Sequence, residues 1–161
     1  MDDGQTRAAA LAREWREVRG VLLGLAEQLP ETRLGRATER AGWTVRHELA
    51  HFAVLDRDIA HVFERAASGA TEALDEAREA IDLRRMRGQA MLAAQELRLT
   101  PLRQYLADAG ERAAAAIEAQ AALLGHPVRL AGREATTVAG HLDHALARAR
   151  EGVAVLREAL K

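Results

Sequence analysis

Apolar residues along this chain recur at alternating steps of three and four, the spacing that places side chains on one face of an α-helix. A first stripe runs over Gln5–Leu29 and is ended by Pro30. A second covers Val45–Ala67, follows the good N-cap residue Thr44, and stops at Ser68-Gly69. We therefore predict two long amphipathic helices joined by a loop of about a dozen residues.

Two more stripes follow in the second half of the chain. A third helix is predicted from Thr100-Pro101, where threonine suits the cap and proline the first turn, to a stop before Gly125. The last helix starts near Thr137 and its stripe ends at Leu160. Residues 71–99 are charged and helical in composition, but their apolar residues are spaced irregularly, which predicts a crossover element. The pattern predicts one all-α domain over residues 1–161, a four-helix bundle with up-down-down-up order and a long helical crossover between helices two and three.

Composition supports this fold and narrows the function. Hydrophobic residues make up 48% of the 161 and aromatic residues only 3%, so the core is expected to consist of Ala, Leu and Val. With 23 basic and 24 acidic residues, no excess of positive charge favours a nucleic-acid partner. There is no cysteine, which excludes thiolate metal sites and cysteine nucleophiles. The charged N-terminus and the lack of a long apolar run predict a cytoplasmic protein without a membrane partner.

Histidines are concentrated on two predicted helices. Each helix carries a polar line outside its apolar stripe: His47, His51, Asp58 and His61 on helix two, and His141, His144, Arg148 and Glu151 on the last helix. Histidines four residues apart can converge on one ion, and a further ligand on a facing helix completes a site inside a bundle. We hypothesise that His51 binds zinc or nickel, the ions that suit imidazole, with help from the last helix. A single histidine is more often solvated or satisfied by a neighbour, and we expect this of His61 and His141.

Residues 47–51 also spell H-E-x-x-H, the helix motif of zinc peptidases. In such an enzyme His47 and His51 would bind zinc and Glu48 would activate water; otherwise Glu48 is an ordinary surface carboxylate. The context argues against a peptidase. Val54 and Arg57 stand where the longer motif needs glycine and histidine, and no strand-like segment is present to hold an extended substrate.

The phrase GWTVRHELAHFAVLDR resembles the second helix of the DinB/YfiT-like superfamily of bacterial four-helix bundles, which includes the metal-binding domain of mycothiol-dependent maleylpyruvate isomerase. In that family a tryptophan opens the helix and a histidine about two turns later is the first metal ligand, and Trp43 and His51 match these places. The resemblance spans Leu11–Leu160, since TPLRQYLADAGERAAAAIEAQ and TTVAGHLDHALARAREGVAVLREAL are similar to the family's third and last helices. It implies metal-assisted chemistry with a low-molecular-weight thiol on a small-molecule substrate, and a homodimer.

The last helix departs from the family's pattern. The two remaining ligand places fall on Arg148 and Gly152, and neither residue is an ordinary metal ligand. His144 lies one turn earlier, so the site is either displaced towards His144 and Asp58, with His47 as an auxiliary ligand, or lost. Three functions stay open: a metal-dependent, thiol-using transferase or isomerase with a divergent metal site, a non-enzymatic bundle that binds a ligand or partner, and an HExxH zinc peptidase.

Overall fold

The computed structural model describes residues 3–161, which are almost entirely helical. The elements in chain order are α1 Asp3–Glu27, α2 Val45–Ala67, α3 Glu76–Gln95, α4 Leu99–Ala119, β1 Pro127–Val128, β2 Thr136–Thr137 and α5 Val138–Ala159, with short 3-10 helices at Glu31–Arg33 and Ala121–Leu123. The two strands pair antiparallel as a small hairpin, with Pro127 opposite Thr137.

The four predicted stripes meet in one core, which confirms the all-α bundle. Helix α1 packs on α4 and α5, and α2 packs on α5 and α4. The core is made largely of alanine, leucine and valine, as the composition predicted, and only three of its side chains are large aromatics: Trp15, Phe52 and Phe63. The up-down-down-up order of the helices stays a prediction.

Helix α3 is the predicted crossover, and it lies on the outside of α2. Only Glu79, Leu83 and Ala94 of its residues are buried, which explains why the sequence shows no regular apolar stripe there. Ion pairs supplement the sparse apolar contact: Arg87 of α3 binds Asp58 of α2 at 2.7 Å, and Glu79 pairs with Arg65.

One predicted helix start is wrong. Helix α4 begins at Leu99 with Arg98 as its N-cap, so Thr100 lies inside the first turn instead of capping it. Pro101 permits the earlier start, because the first backbone N–H groups of a helix have no partner within it and proline loses nothing there. Among residues 3–161 no helix is both long and apolar enough to cross a membrane.

Candidate functional site

A cavity of about 320 Å³ lies between α2 and α5 and is closed on its sides by α3 and the loop of the β-hairpin. Its lining joins a polar set, His51, Asp58, Arg87, Arg133, His141, His144 and Arg148, to an apolar set, Val54, Leu55, Ile59, Val62, Leu142 and Ala145. A concave site that combines apolar walls with a few convergent polar groups is the usual form of a small-molecule pocket.

His51 lies on the α2 side of this cavity, with the Trp43 ring packed against it. The chain turns into α2 at Gly42, whose φ of 77° favours glycine, and Trp43 then packs edge-on against the His51 ring with 5.3 Å between ring centroids. Burial lowers the pKa of His51 to about 4, and the positive charges of Arg40 and Arg148 add to the effect. The imidazole is therefore neutral at neutral pH and offers a lone pair to the cavity.

The first turn of α5 is fixed by the hairpin. The Thr137 hydroxyl accepts the Gly140 N–H at 3.2 Å as a helix cap. Gly140 leaves room for the hairpin, since a Cβ there would lie 2.1 Å from Thr136 Oγ1. His141 is buried, with its Nε2 3.0 Å from the Val128 carbonyl oxygen, so it is satisfied by a neighbour as expected. His144, one turn further on, is exposed at the mouth of the cavity.

Asp58 supplies the single carboxylate of the cavity wall and is held by arginines from two other elements. Arg87 of α3 donates from Nε to the Asp58 carboxylate at 2.7 Å, and the Arg133 guanidinium of the hairpin loop lies 3.7 Å away. Desolvation lowers the pKa of the Arg133 guanidinium, partly offset by the charge of Asp58. Sequence reasoning missed Arg87 and Arg133 as site residues, because one belongs to a crossover and the other to a loop.

His47 and Glu48 have structural roles instead of facing the cavity. Nδ1 of His47 accepts the Thr44 backbone N–H at 3.2 Å and closes the first turn of α2. Glu48 is fully buried, with its carboxylate 3.0 Å from Arg40 Nε and 3.3 Å from the Thr38 hydroxyl. The description of Glu48 as a surface carboxylate is therefore wrong. Its burial, which raises its pKa, and its absence from the cavity wall also argue against a water-activating role beside His51.

At the two positions where the family pattern requires further metal ligands, 148 and 152, this chain has residues with other structural roles. Arg148 lines the cavity and pairs with Glu151 at 3.2 Å. Gly152 faces the core, where a Cβ would lie 3.2 Å from the Phe52 ring, so the backbone of α5 approaches α2 closely at this point. A histidine at position 152 would collide with Phe52.

These donors do not fit a metal held by three protein ligands. His51 and His144 share the cavity, while His47 stands outside it. Asp58, the remaining oxygen donor, is committed to Arg87 and Arg133, and positive guanidinium groups repel a cation. Over the described residues 3–161, no group of three histidine or carboxylate side chains is arranged to hold a metal ion.

Comparison with known proteins agrees with the fold. Among solved structures, the mycothiol-dependent maleylpyruvate isomerase superposes with a TM-score of 0.66 at 16% identity, over 94% of this chain and 60% of the isomerase. A histidine-to-alanine variant of that isomerase gives a TM-score of 0.67 at 15% identity, with the same coverage. The sibling lethal factor precursor DfsB gives 0.70 at 13% identity, over 94% of this chain and 93% of DfsB. At these identities the likeness shows the fold alone.

Sequence comparison places the chain in a family. No curated protein matches it significantly. The model of the DinB family matches residues 1–129, which run from α1 to the first strand and include Trp43 and His51 but stop before α5. Because that match covers well over half of the chain, the protein belongs to the DinB family.

Proposed function

We propose that this protein binds a small organic molecule in the cavity between α2 and α5, and that it does so without a metal held by three of its own side chains. The lining of the cavity carries the proposal, because Arg87 and Arg133 hold its carboxylate and Arg148 stands at one of the two positions where the family has further metal ligands. Catalysis is not part of this proposal. It corresponds to the second of the three functions that the sequence left open.

A matched pair of α5 variants tests binding in the cavity. Ala145 is buried in the cavity wall, while Ala147 is exposed on the same helix. We expect a ligand-observed NMR screen of small organic compounds to give hits that Ala145→Leu abolishes and Ala147→Leu retains. Hits that survive equally in both variants, or a screen without hits, would contradict the proposal.

A metal-dependent, thiol-using transferase or isomerase is the second candidate. It is favoured by the placement of His51 and His144 on one cavity, by the neutral state of the His51 ring, and by the structural likeness to a mycothiol-dependent isomerase. His51 and His144 would hold the zinc or nickel ion, which would lower the pKa of a bound low-molecular-weight thiol. For Asp58 to assist, its carboxylate would have to leave Arg87 and Arg133.

Metal uptake separates the two candidates. Purified protein is incubated with zinc or nickel, dialysed, and analysed for bound metal beside the His51→Ala and His144→Ala variants. We expect no stoichiometric metal that depends on these histidines. One ion per chain, lost in both variants, would favour the transferase or isomerase and contradict the first proposal.

A further inference from the structure

Positive charge exceeds negative charge on the cavity wall. Within the described residues 3–161, three guanidinium groups line it, those of Arg87, Arg133 and Arg148, and Asp58 is the single carboxylate. The histidines add no charge at neutral pH, since burial lowers the pKa of each of the three, His51, His141 and His144. The wall therefore carries an excess of two positive charges.

The next layer of charged groups reduces this excess but does not remove it. Arg40 and Glu151 lie beyond Arg148, with 3.5 Å between their side chains, and Arg40 also pairs with the buried Glu48. When Arg40, Glu48 and Glu151 are included, the cavity and its surroundings hold four guanidinium groups and three carboxylates among the described residues. Because burial raises the pKa of Glu48, its negative charge is the most weakly held of the three.

Two of these guanidinium groups have donors without a hydrogen-bond partner among residues 3–161. Nη2 of Arg87 is buried and makes no hydrogen bond. The Arg133 guanidinium has Asp58 as its ion-pair partner, and at 3.7 Å the two are too far apart for a hydrogen bond. Both side chains are about one-third exposed, Arg87 at 32% and Arg133 at 31%. Buried donors normally find partners, so free donors beside a cavity indicate a missing acceptor.

The remaining residues of the cavity wall are apolar and would contact the nonpolar part of a ligand. Val54, Leu55, Ile59 and Val62 of α2 and Leu142 and Ala145 of α5 form an apolar surface beside the arginines. A volume of about 320 Å³ is at the small end for ligand pockets. The cavity therefore suits a compact molecule with one apolar part and one charged end.

From this arrangement we infer that the ligand is a small organic oxyanion, whose carboxylate or phosphate is bound by Arg87, Arg133 and Arg148. Its apolar part lies against Ile59 and Leu142. This inference rests on the proposed function, because it assigns a chemical class to the molecule in the same cavity. Arginine presents paired N–H donors that match two oxygens of either head group. Asp58 keeps Arg87 and Arg133 in position but does not neutralise the site.

Calorimetric titration with four six-carbon probes tests this assignment. Hexanoate and hexyl phosphate carry the proposed head groups, while hexanamide and hexylamine carry a neutral and a positive one. We expect both anions, or one of them, to bind at least about tenfold more tightly than hexanamide, and hexylamine not to bind. The tighter anion identifies the head group.

Three variants locate the anion. Arg148→Gln and Arg133→Gln are each expected to weaken binding by about tenfold or more. Arg150→Gln is the matched control on α5, since Arg150 is exposed, pairs with Glu14 and does not line the cavity. It should change the dissociation constant by less than about twofold.

Failure of the inference and failure of the proposed function give different results. Equal binding of hexanoate and hexanamide, both lost in Ala145→Leu, would overturn the anion assignment and leave a small-molecule cavity. Anion binding that Arg150→Gln weakens as much as Arg148→Gln would also overturn it, because the surface charge would then be responsible. If none of the four probes binds, the anion assignment is wrong, and if the compound screen also finds no hit, the proposed function fails with it.

Discussion

Asp56 and Asp58 lie two residues apart on α2, on roughly opposite sides of the helix, and their surroundings differ. Asp56 pairs with Arg19, whose side chain is 5% exposed and also lies over the rings of Trp15 and Phe52. Asp58 is as buried as Asp56, but its arginine partners are about one-third exposed and border a cavity. Asp56 is thus paired with one arginine that is almost fully buried, whereas Asp58 is outnumbered by two arginines that are partly exposed.

The Arg19–Asp56 ion pair stabilises the fold, whereas the ion pairs of Asp58 hold arginines at the cavity between α2 and α5. The Arg19 side chain is closely packed, since its Nη2 donates to the Phe52 carbonyl oxygen at 3.1 Å and a Cβ at Gly110 would lie 3.0 Å from its Cγ. Around Asp58 there are a cavity and surplus positive charge, which are properties of a binding site.

The largest loss of stability is expected when Asp56, the partner of Arg19, is replaced. Asp56→Asn leaves the Arg19 guanidinium buried without a countercharge, so we expect the free energy of unfolding in urea to fall by about 3–5 kcal/mol. Asp143→Asn, which breaks the exposed pair with Arg7, is the control and should cost less than about 1 kcal/mol. Equal losses in the two variants would show that the Arg19 pair is not a buried one.

The second-largest loss of stability is expected at Gly152, where α5 approaches α2 closely. Gly152→Leu places a side chain against the Phe52 ring and should cost about 1–3 kcal/mol of stability, as measured by urea unfolding. Gly20→Leu is the matched control, because Gly20 is an exposed helical position with open space around it. It should be neutral or stabilising by up to about 1 kcal/mol. A stable Gly152→Leu protein would mean that position 152 has room for a ligand side chain.

The neutral state of His51 predicts a dependence of stability on pH. Its pKa is about 4 in the folded protein and near 6.5 when unfolded, so the unfolded chain binds the proton first as the pH falls. Stability is then lost between about pH 6.5 and pH 4, by on the order of 1–2 kcal/mol once solvent screening of this half-buried ring is allowed for. His51→Gln removes the titration. Parallel stability curves for the two proteins over this range would refute the assignment.

The smallest loss of stability is expected when Asp58, which has two arginine partners, is replaced. Asp58→Asn frees arginines that water can reach, so unfolding should become easier by only about 1 kcal/mol. The same change removes a negative charge from the cavity and should tighten hexanoate binding by roughly 3- to 10-fold. A loss of stability as large as that of Asp56→Asn, or weaker binding of hexanoate, would erase the distinction between the two acids.

The regular parts of this protein could be predicted from the sequence, whereas much of the pocket could not. The apolar stripes follow from helical periodicity, and the positions of Trp43 and His51 at the start of α2 follow from a resemblance. The burial of Glu48 was missed although its position continues the apolar series of Val45, Phe52 and Leu55, because charged residues are normally assigned to the surface. Placing Arg87 and Arg133 requires knowing where a crossover and a loop fold back, which local patterns do not contain.

The histidine ring signals in a ¹H–¹⁵N NMR spectrum test the central claim most directly, with hexanoate and zinc chloride added to separate samples. If the cavity is an anion site without a three-ligand metal centre, hexanoate shifts the signals of His51 and His144 saturably while zinc leaves His51 unchanged. If zinc instead moves both histidines together at one ion per chain and hexanoate moves neither, the account is wrong, and the cavity is a metal site despite its arginines.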